Sequence, residues 1–271
     1  MGTISKALDL LTHFSLERAQ IGLAEFVRLT GRDKATVHRH LTELLDNGFL
    51  EQHVETRAYR LGPAVLRLAS LREALFPARK ILQPVVAELS EATGELAHAS
   101  LLQGDFMSPV AQSDPRQHGV QVHFDPAEML PLHGTSSGLA ALAFCSDERR
   151  RAALARPLAS ITPQTITDPA VLLARIEETR RYGVGIMAGG FDADVTSVGA
   201  PLFGDGGALV GSLAVAVPSV RASADNLRSI AHHLLAAADA ASAALGGQFP
   251  TTLQRLPDTW GAVSISDEVT P

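Results

Sequence analysis

The sequence has a single cysteine, Cys145, in 271 residues. One thiol excludes an intrachain disulfide framework and is the usage expected of a reducing cytoplasm. Set at the end of the apolar stretch LAALAFC, it reads as a buried, inert side chain on a helix rather than a redox sensor. No uninterrupted apolar run reaches membrane-spanning length, although 46% of the residues are hydrophobic, so a soluble protein without a membrane partner is expected. The opening MGTISKALDL lacks the basic start and apolar block of a signal peptide, and no internal repeat is visible. Positive charge is also short, with a formal net charge of −6, but the deficit is uneven. Residues 1–80 hold 12 Lys and Arg against 9 Asp and Glu, whereas the rest hold 11 against 20. A basic head on an acidic body fits a separate nucleic-acid-binding unit, and the length suffices for two cores.

What is present is organised around Gly22–Leu50. Leu23, Phe26 and Val27 share one face of a short helix, and Gly31 falls where a left-handed helix-ending residue is expected. Asp33 can cap a second helix from Lys34 to Asp46, with Val37, Leu41, Leu44 and Leu45 on its apolar face. Nearly opposite lie Ala35, Thr36, Arg39, Thr42 and Glu43, a polar face suited to the major groove. This is helix-turn-helix logic. A preceding helix with Ile4, Ala7, Leu8, Leu11 and Phe14 completes a small core. After it, the runs 49–53 and 58–61 flank Val54–Arg57 as a two-stranded wing, placing Arg57 near the tip and Arg60 beside it. Thr36 and Arg39 are the expected base readers, with Arg32, Lys34 and Arg57 on phosphates.

Residues 64–75 form the next expected helix, with Val65, Leu68, Ala69 and Leu71 apolar, and Phe76-Pro77 is the natural boundary. ILQPVVAELSEATG predicts a helix with Pro84 near its start or at a kink. From Glu95 the period drops to two: ELAHASLL and FMSPVAQS make a hairpin about Gln-Gly-Asp, and VQVHF a further strand. A helix capped by Thr135 or Ser136 follows, then two opening near Asp147 and Asp168. A strong hairpin with Asp205-Gly206 at its turn precedes a closing helix from Ala222 to about Leu245. Hairpins with helices outside predict an α+β domain with an antiparallel sheet. Residues 247–271, with Pro, Thr, Asp and a lone Trp260, read as a flexible tail.

Several patterns suggest chemistry. Gly134-Thr135-Ser136-Ser137-Gly138 matches the nucleophile elbow G-x-S-x-G, and Asp192 or Asp194 and His232 or His233 follow in hydrolase order. A serine hydrolase using Ser136 is therefore the competing function, but the elbow needs a buried parallel strand, and FDPAEMLPLH with an antiparallel sheet supplies none. Gly183–Ala188 mimics a dinucleotide fingerprint with strand and helix in reversed order, so no cofactor is expected. His118, His123 and His133 stand five and ten residues apart, which matches no metal signature. The GTSSG segment has a better use. A helix start lined by Ser, Thr and Gly offers unpaired amides and a positive dipole end, a ready site for a carboxylate.

SKALDLLTHF, the helix-turn-helix, FLEQHVETRAYRLG and PAVLRLA resemble the DNA-binding half of the IclR-family transcriptional regulators. LPLHGTSSGLAALA, YGVGIMAGGFDADVTSVGAPLF and GSLAVAVP resemble the effector-binding half in the same order, over residues 4–245 in all. The resemblance implies a winged helix-turn-helix over 1–62, a linker helix over 63–76 that contributes to dimer contacts, and a GAF/PAS-like effector domain over 77–246. It implies a regulator rather than an enzyme, binding operator DNA as a homodimer or dimer of dimers under the control of a small organic acid. It carries the effector site to His133, Gly134, Thr135, Ser136 and Ser137, and, on the later strands, to Met187, Ser197, Ala214 and Ala216. Members that take very small polar acids tend to have an acidic residue, a cysteine and serines at the strand positions, and a lysine is common where Leu139 stands. Here only Ser197 keeps a hydroxyl, so the expected effector is an apolar, aromatic carboxylate.

Overall fold

The computed structural model describes residues 2–261, which form two compact units, the first ending at Pro77 and the second beginning at Ala78. The first contains α1 (Thr3–Leu11), α2 (Leu23–Thr30), α3 (Lys34–Asp46), strands β1 (Leu50–Gln52) and β2 (Tyr59–Leu61), and α4 (Pro63–Leu75). Gly31 ends α2 at φ +63, and the Asp33 carboxylate accepts from the Thr36 amide at 2.8 Å, starting α3. Phe26 stands edge-on to Phe14 and Tyr59 in a core with Leu10, Ile21, Val37, Leu41, Leu44 and Leu50. The face expected of α1 is corrected. Leu10 and Phe14 enter the core, while Ile4 is 77% exposed and Leu8 is also exposed, because only the last turn of this helix reaches so small a core. The wing strands pair antiparallel but span three residues each, closed by Arg57 at φ +57. Beyond Ala64 and half-buried Val65, α4 exposes Leu66, Leu68, Leu71 and Leu75.

The second unit is built on a six-stranded antiparallel sheet in the order β5-β4-β3-β8-β7-β6. These strands are β3 (Leu96–Gln103), β4 (Phe106–Ser113), β5 (Leu130–Pro131), β6 (Gly185–Ala188), β7 (Val195–Phe203) and β8 (Leu209–Pro218). Helices α5 (Ala78–Thr93) and α9 (Ala224–Ala244) cover one face, whose Ala97, Ala99, Val198, Ala200, Leu213, Val215 and Val217 are buried in a single cluster. Against the other face lies α6 (Ser136–Phe144), followed by α7 (Asp147–Leu154) and α8 (Pro169–Tyr182). Thr135, Ser146, Asp168 and Ser223 cap α6, α7, α8 and α9 through their side-chain oxygens. Gly199 on β7 lets α6 press onto the sheet: a Cβ there would lie 2.4 Å from the Ser136 carbonyl oxygen.

Four expectations change here. VQVHF (120–124) is not a strand; Val122 and Phe124 serve a cavity wall instead of a ladder, and the third strand is the two-residue β5. The turn after β7 is longer than two residues, closing with the Gly204 amide on the Ala208 carbonyl at 2.8 Å. Cys145 caps the end of α6, half-buried, and burial pushes its thiol pKa up. The expected tail packs over 247–261: Leu256 and Trp260 are buried in the α5/α9 cluster, and the Gln254 amide donates to the Arg181 carbonyl at 2.9 Å. Its apolar side chains are too widely spaced to show any period, so the sequence pattern does not reveal them. The remaining expected tail, 262–271, lies outside the described residues. Among the described residues no helix is long and apolar enough to cross a membrane.

Candidate functional site

The outer face of α3 presents Lys34, Ala35 and Arg39 to solvent, with Thr36 and Thr42 half-buried between them. The Thr42 hydroxyl donates to the His38 carbonyl at 3.0 Å. His38 itself is exposed on this face, a position that the i, i+3 step from Ala35 marks in the sequence. Arg57 stands exposed at the wing turn, whereas Arg60 is paired with Glu51 at 2.8 Å. Arg32 departs from its expected role. Its guanidinium donates to Asp9 at 2.7 Å and to the Lys6 carbonyl at 3.0 Å, so it ties α1 to the helix-turn-helix instead of reaching outward. Behind the outer face lies His40, 3% exposed, with neither ring nitrogen hydrogen-bonded. Burial, then the charges of Arg39, Arg32 and Lys6, push its pKa down, which keeps the ring neutral in this core.

In the second unit a cavity of about 420 Å³ opens between the start of α6 and the facing strands, a size that takes a small organic ligand. Gly134, Thr135, Ser136, Ser137, Met187, Ser197 and Ala216 all line it. Two other expected residues do not. His133 is turned away, its Nε2 2.9 Å from the Ala159 carbonyl oxygen, and it lines a separate apolar cavity. Ala214 is fully buried in register with Gly199, where α6 presses closest, and so lies under the helix and not at the cavity wall.

The chemistry at α6 follows from its first turn. The Thr135 hydroxyl oxygen accepts from the Gly138 amide at 3.0 Å and donates to the Pro131 carbonyl at 2.9 Å. That leaves the Ser136 and Ser137 amides as first-turn donors at the positive end of the helix dipole. Ser137 is 1% exposed, and its Oγ has no hydrogen-bond partner among the described residues. An unsatisfied buried hydroxyl at a cavity wall is costly unless something in the cavity completes it.

The rest of the lining comes from loops and from a histidine that the sequence pattern does not single out. His98 on β3 is buried, with its Nδ1 3.2 Å from the Ser100 hydroxyl and its ring 4.7 Å from that of Phe124. Burial pushes its pKa down to about 4, so the ring is neutral at physiological pH. Phe124 and Phe191 add aromatic surface, while Asp125, Glu128 and Asp192 bring carboxylates. Burial first, then the charge of Asp125, pushes the Glu128 carboxyl up; His123 opposes this and Asp192 adds to it. The loop carrying Phe124 to Glu128 is anchored by Arg221. Its guanidinium forks onto Glu95 at 2.7 Å through both Nε and Nη2, and donates to the Val120 carbonyl at 2.9 Å.

Among the described residues no hydrolytic triad forms around Ser136. His232 and His233 are exposed on α9, which packs on the opposite face of the sheet from α6. Among the described residues no three His, Cys, Asp or Glu side chains are placed to hold a metal.

Comparison with known proteins agrees with both halves. The family model described as the IclR helix-turn-helix domain matches residues 3–53, and that of the bacterial transcriptional regulator IclR C-terminal domain matches 76–243. The HTH-type transcriptional regulator Rv1719 of Mycobacterium tuberculosis is 31% identical over 218 residues, covering 80% of this chain and 83% of its own. A crystal structure of an IclR transcriptional regulator from Silicibacter sp. TM1040 is 46% identical, with a TM-score of 0.82 over 94% of this chain and 100% of that one. An IclR homologue from Microbacterium hydrocarbonoxydans, crystallised with 4-hydroxybenzoate, shares the fold at 22% identity, with a TM-score of 0.73 over 90% and 98%. These are regulators, with a helix-turn-helix that binds DNA and a C-terminal domain for a small-molecule effector. The chain is not an enzyme but a member of the IclR family of bacterial transcriptional regulators.

Proposed function

We propose that this regulator binds its operator as a dimer and that a carboxylate with an aromatic body, seated at the start of α6, shifts operator affinity. The observation that carries the effector half is the unpartnered Ser137 hydroxyl beside the first-turn amides, in a cavity to which Phe124, Phe191 and Met187 give apolar surface. Fixed donors there favour an anion by about 0.3–1 kcal/mol at an exposed helix start and by more when buried. Covering roughly 100 Å² of ring surface adds about 2.5 kcal/mol at ~25 cal/mol per Å². A two-carbon acid gains only the first contribution. The 4-hydroxybenzoate bound by the Microbacterium homologue has the same two parts. Calorimetry against glyoxylate, pyruvate, benzoate and the hydroxybenzoates tests this reading. Aromatic acids bind more tightly, and Ser136→Pro, which removes one first-turn amide at a position where helices accept proline, weakens them. Tighter binding of glyoxylate than of every aromatic acid overturns it.

On DNA, Arg39 and Thr36 read bases, with Ala35 and Thr42 flanking them, while Lys34 and Arg57 meet phosphates. Arg32 supports the arrangement through Asp9. Exposed Leu68, Leu71 and Leu75 on one side of α4 form the apolar surface that a second copy covers, so light scattering at micromolar concentration gives at least a dimer. Arg39→Ala lowers the preference for upstream DNA over random DNA by ~1–3 kcal/mol, whereas Arg57→Ala weakens both alike. An unchanged preference in Arg39→Ala contradicts this placement.

A further inference from the structure

The cavity wall carries a charge pattern that a plain carboxylate does not explain. Asp125 and Glu128 on the loop before β5, and Asp192 on the turn between β6 and β7, all line it, and among the described residues no Lys or Arg does. Among the described residues none of the three has a Lys or Arg ion-pair partner. Nor are the carboxylates placed with another ligand to hold a metal ion. They nevertheless share one field: the Glu128 carboxyl is pushed up first by burial and then by Asp125, with His123 opposing and Asp192 adding to it. Asp125 and Asp192 each spend one oxygen on a local turn, accepting from the amides of Ala127 at 2.9 Å and Asp194 at 3.0 Å, which fixes where they stand. A monoanion bound at α6 meets this field as repulsion. An ammonium group on the same molecule turns the repulsion into attraction. The unpartnered Ser137 hydroxyl independently marks the cavity as built to be filled.

Resting on the reading of a carboxylate at the α6 start, the geometry points to a zwitterionic effector: its carboxylate on the Ser136 and Ser137 amides, its amine facing Asp125, Glu128 and Asp192, and its apolar body against Phe124 and Phe191. The acidic residues act as the selectivity element. They admit an amino acid or aminoalkyl aromatic acid and disfavour the matching acid without the amine.

Calorimetry on the full chain with 4-(aminomethyl)benzoate, benzoate and benzylamine tests the assignment. Wild type and the charge-neutral variant Asp125→Asn, Glu128→Gln, Asp192→Asn are compared; the amides retain the oxygen acceptors used in the turns. The zwitterion binds wild type at least tenfold tighter than benzoate, and in the variant this ratio falls at least tenfold while benzoate binds more tightly. Benzoate binding wild type as tightly as the zwitterion, or a ratio unmoved by the variant, overturns the selectivity assignment and leaves the carboxylate reading standing. Benzylamine binding as tightly as the zwitterion overturns the carboxylate reading and, with it, the zwitterion. Binding of none of the three overturns both.

Discussion

The two faces of the six-stranded sheet use the same strands to opposite ends. Toward α5 and α9, β8 points Leu213, Val215 and Val217, and β3 points Ala97 and Ala99, into one apolar cluster. Toward α6 the alternate positions are Ser212, Ala214 and Ala216 on β8, His98 and Ser100 on β3, and Ser197 and Gly199 on β7. The difference extends to hydroxyl groups. On the α5/α9 side, buried Ser90 donates to the Glu95 carbonyl at 3.0 Å, and buried Ser242 accepts from the Phe203 amide at 3.1 Å. On the α6 side, Ser137 and Ser212 are buried with no partner. One face satisfies its polar groups and holds the domain together. The other leaves one buried hydroxyl, that of Ser137, unpartnered at the wall of its cavity, although Thr135 and Ser100 on the same side are hydrogen-bonded.

The contrast can be broken most severely where α6 meets the sheet. Gly199→Val puts side-chain atoms against the Ser136 carbonyl, from which a Cβ is already only 2.4 Å away, and backbone cannot yield as a side-chain tip can. It should cost about 4 kcal/mol or more in urea unfolding of the second unit. A loss under about 1 kcal/mol would show that α6 is free to lift from the sheet.

Next in size is a substitution on the structural face. Leu213→Ala should cost ~2–5 kcal/mol of stability while leaving the affinity for aromatic acids within twofold, because its side chain lies on the side away from the cavity. Equal losses of affinity and stability would show that the two faces are not separable.

A smaller effect is set by pH on the ligand face. His98 has its folded pKa at about 4 against an ordinary 6.5. Above pH 6.5 the ring is neutral whether folded or unfolded, so it contributes no pH slope. Between 6.5 and about 4 only the unfolded chain takes up the proton, and stability is lost as pH falls, at up to about 1.4 kcal/mol per pH unit. Denaturant titrations of wild type and His98→Gln should therefore converge near pH 7.5 in slope and diverge below 6.5, with wild type the steeper. Parallel curves would mean that the histidine takes up its proton in the fold without penalty.

How much of this is legible in the sequence differs by region for physical reasons. The helix-turn-helix follows from local rules: Gly31 in the left-handed region, Asp33 on the Thr36 amide, and Val37, Leu41 and Leu44 at helical spacing. The α6 start is equally local, since Thr135 caps its own helix. The cavity is not. Phe124, Asp125, Glu128, Phe191 and Asp192 sit in irregular segments brought together by chain topology and by the Arg221–Glu95 pair, 126 residues apart in sequence, and no period marks them. His98 is legible only as an alternating strand position. The same holds for Ala214, whose strand face is readable but whose place under α6 depends on how the helix crosses the sheet. Arg32 shows the limit from the other side, because a basic residue beside a recognition helix looks like a phosphate contact until its partner Asp9, 23 residues earlier, is seen in place.

Under the proposed function, the cavity on the α6 face controls DNA binding by the first unit. The most direct measurement is operator affinity of the full chain, using its own upstream DNA, with and without the tightest-binding acid of the calorimetric series, in wild type and in Ala216→Leu. Ala216 lines the cavity, so a leucine there fills space the acid needs. The acid is expected to change operator affinity by roughly 5–150-fold in wild type, the change to disappear in Ala216→Leu, and operator affinity without acid to be the same in both. An acid response that survives Ala216→Leu undiminished would contradict it.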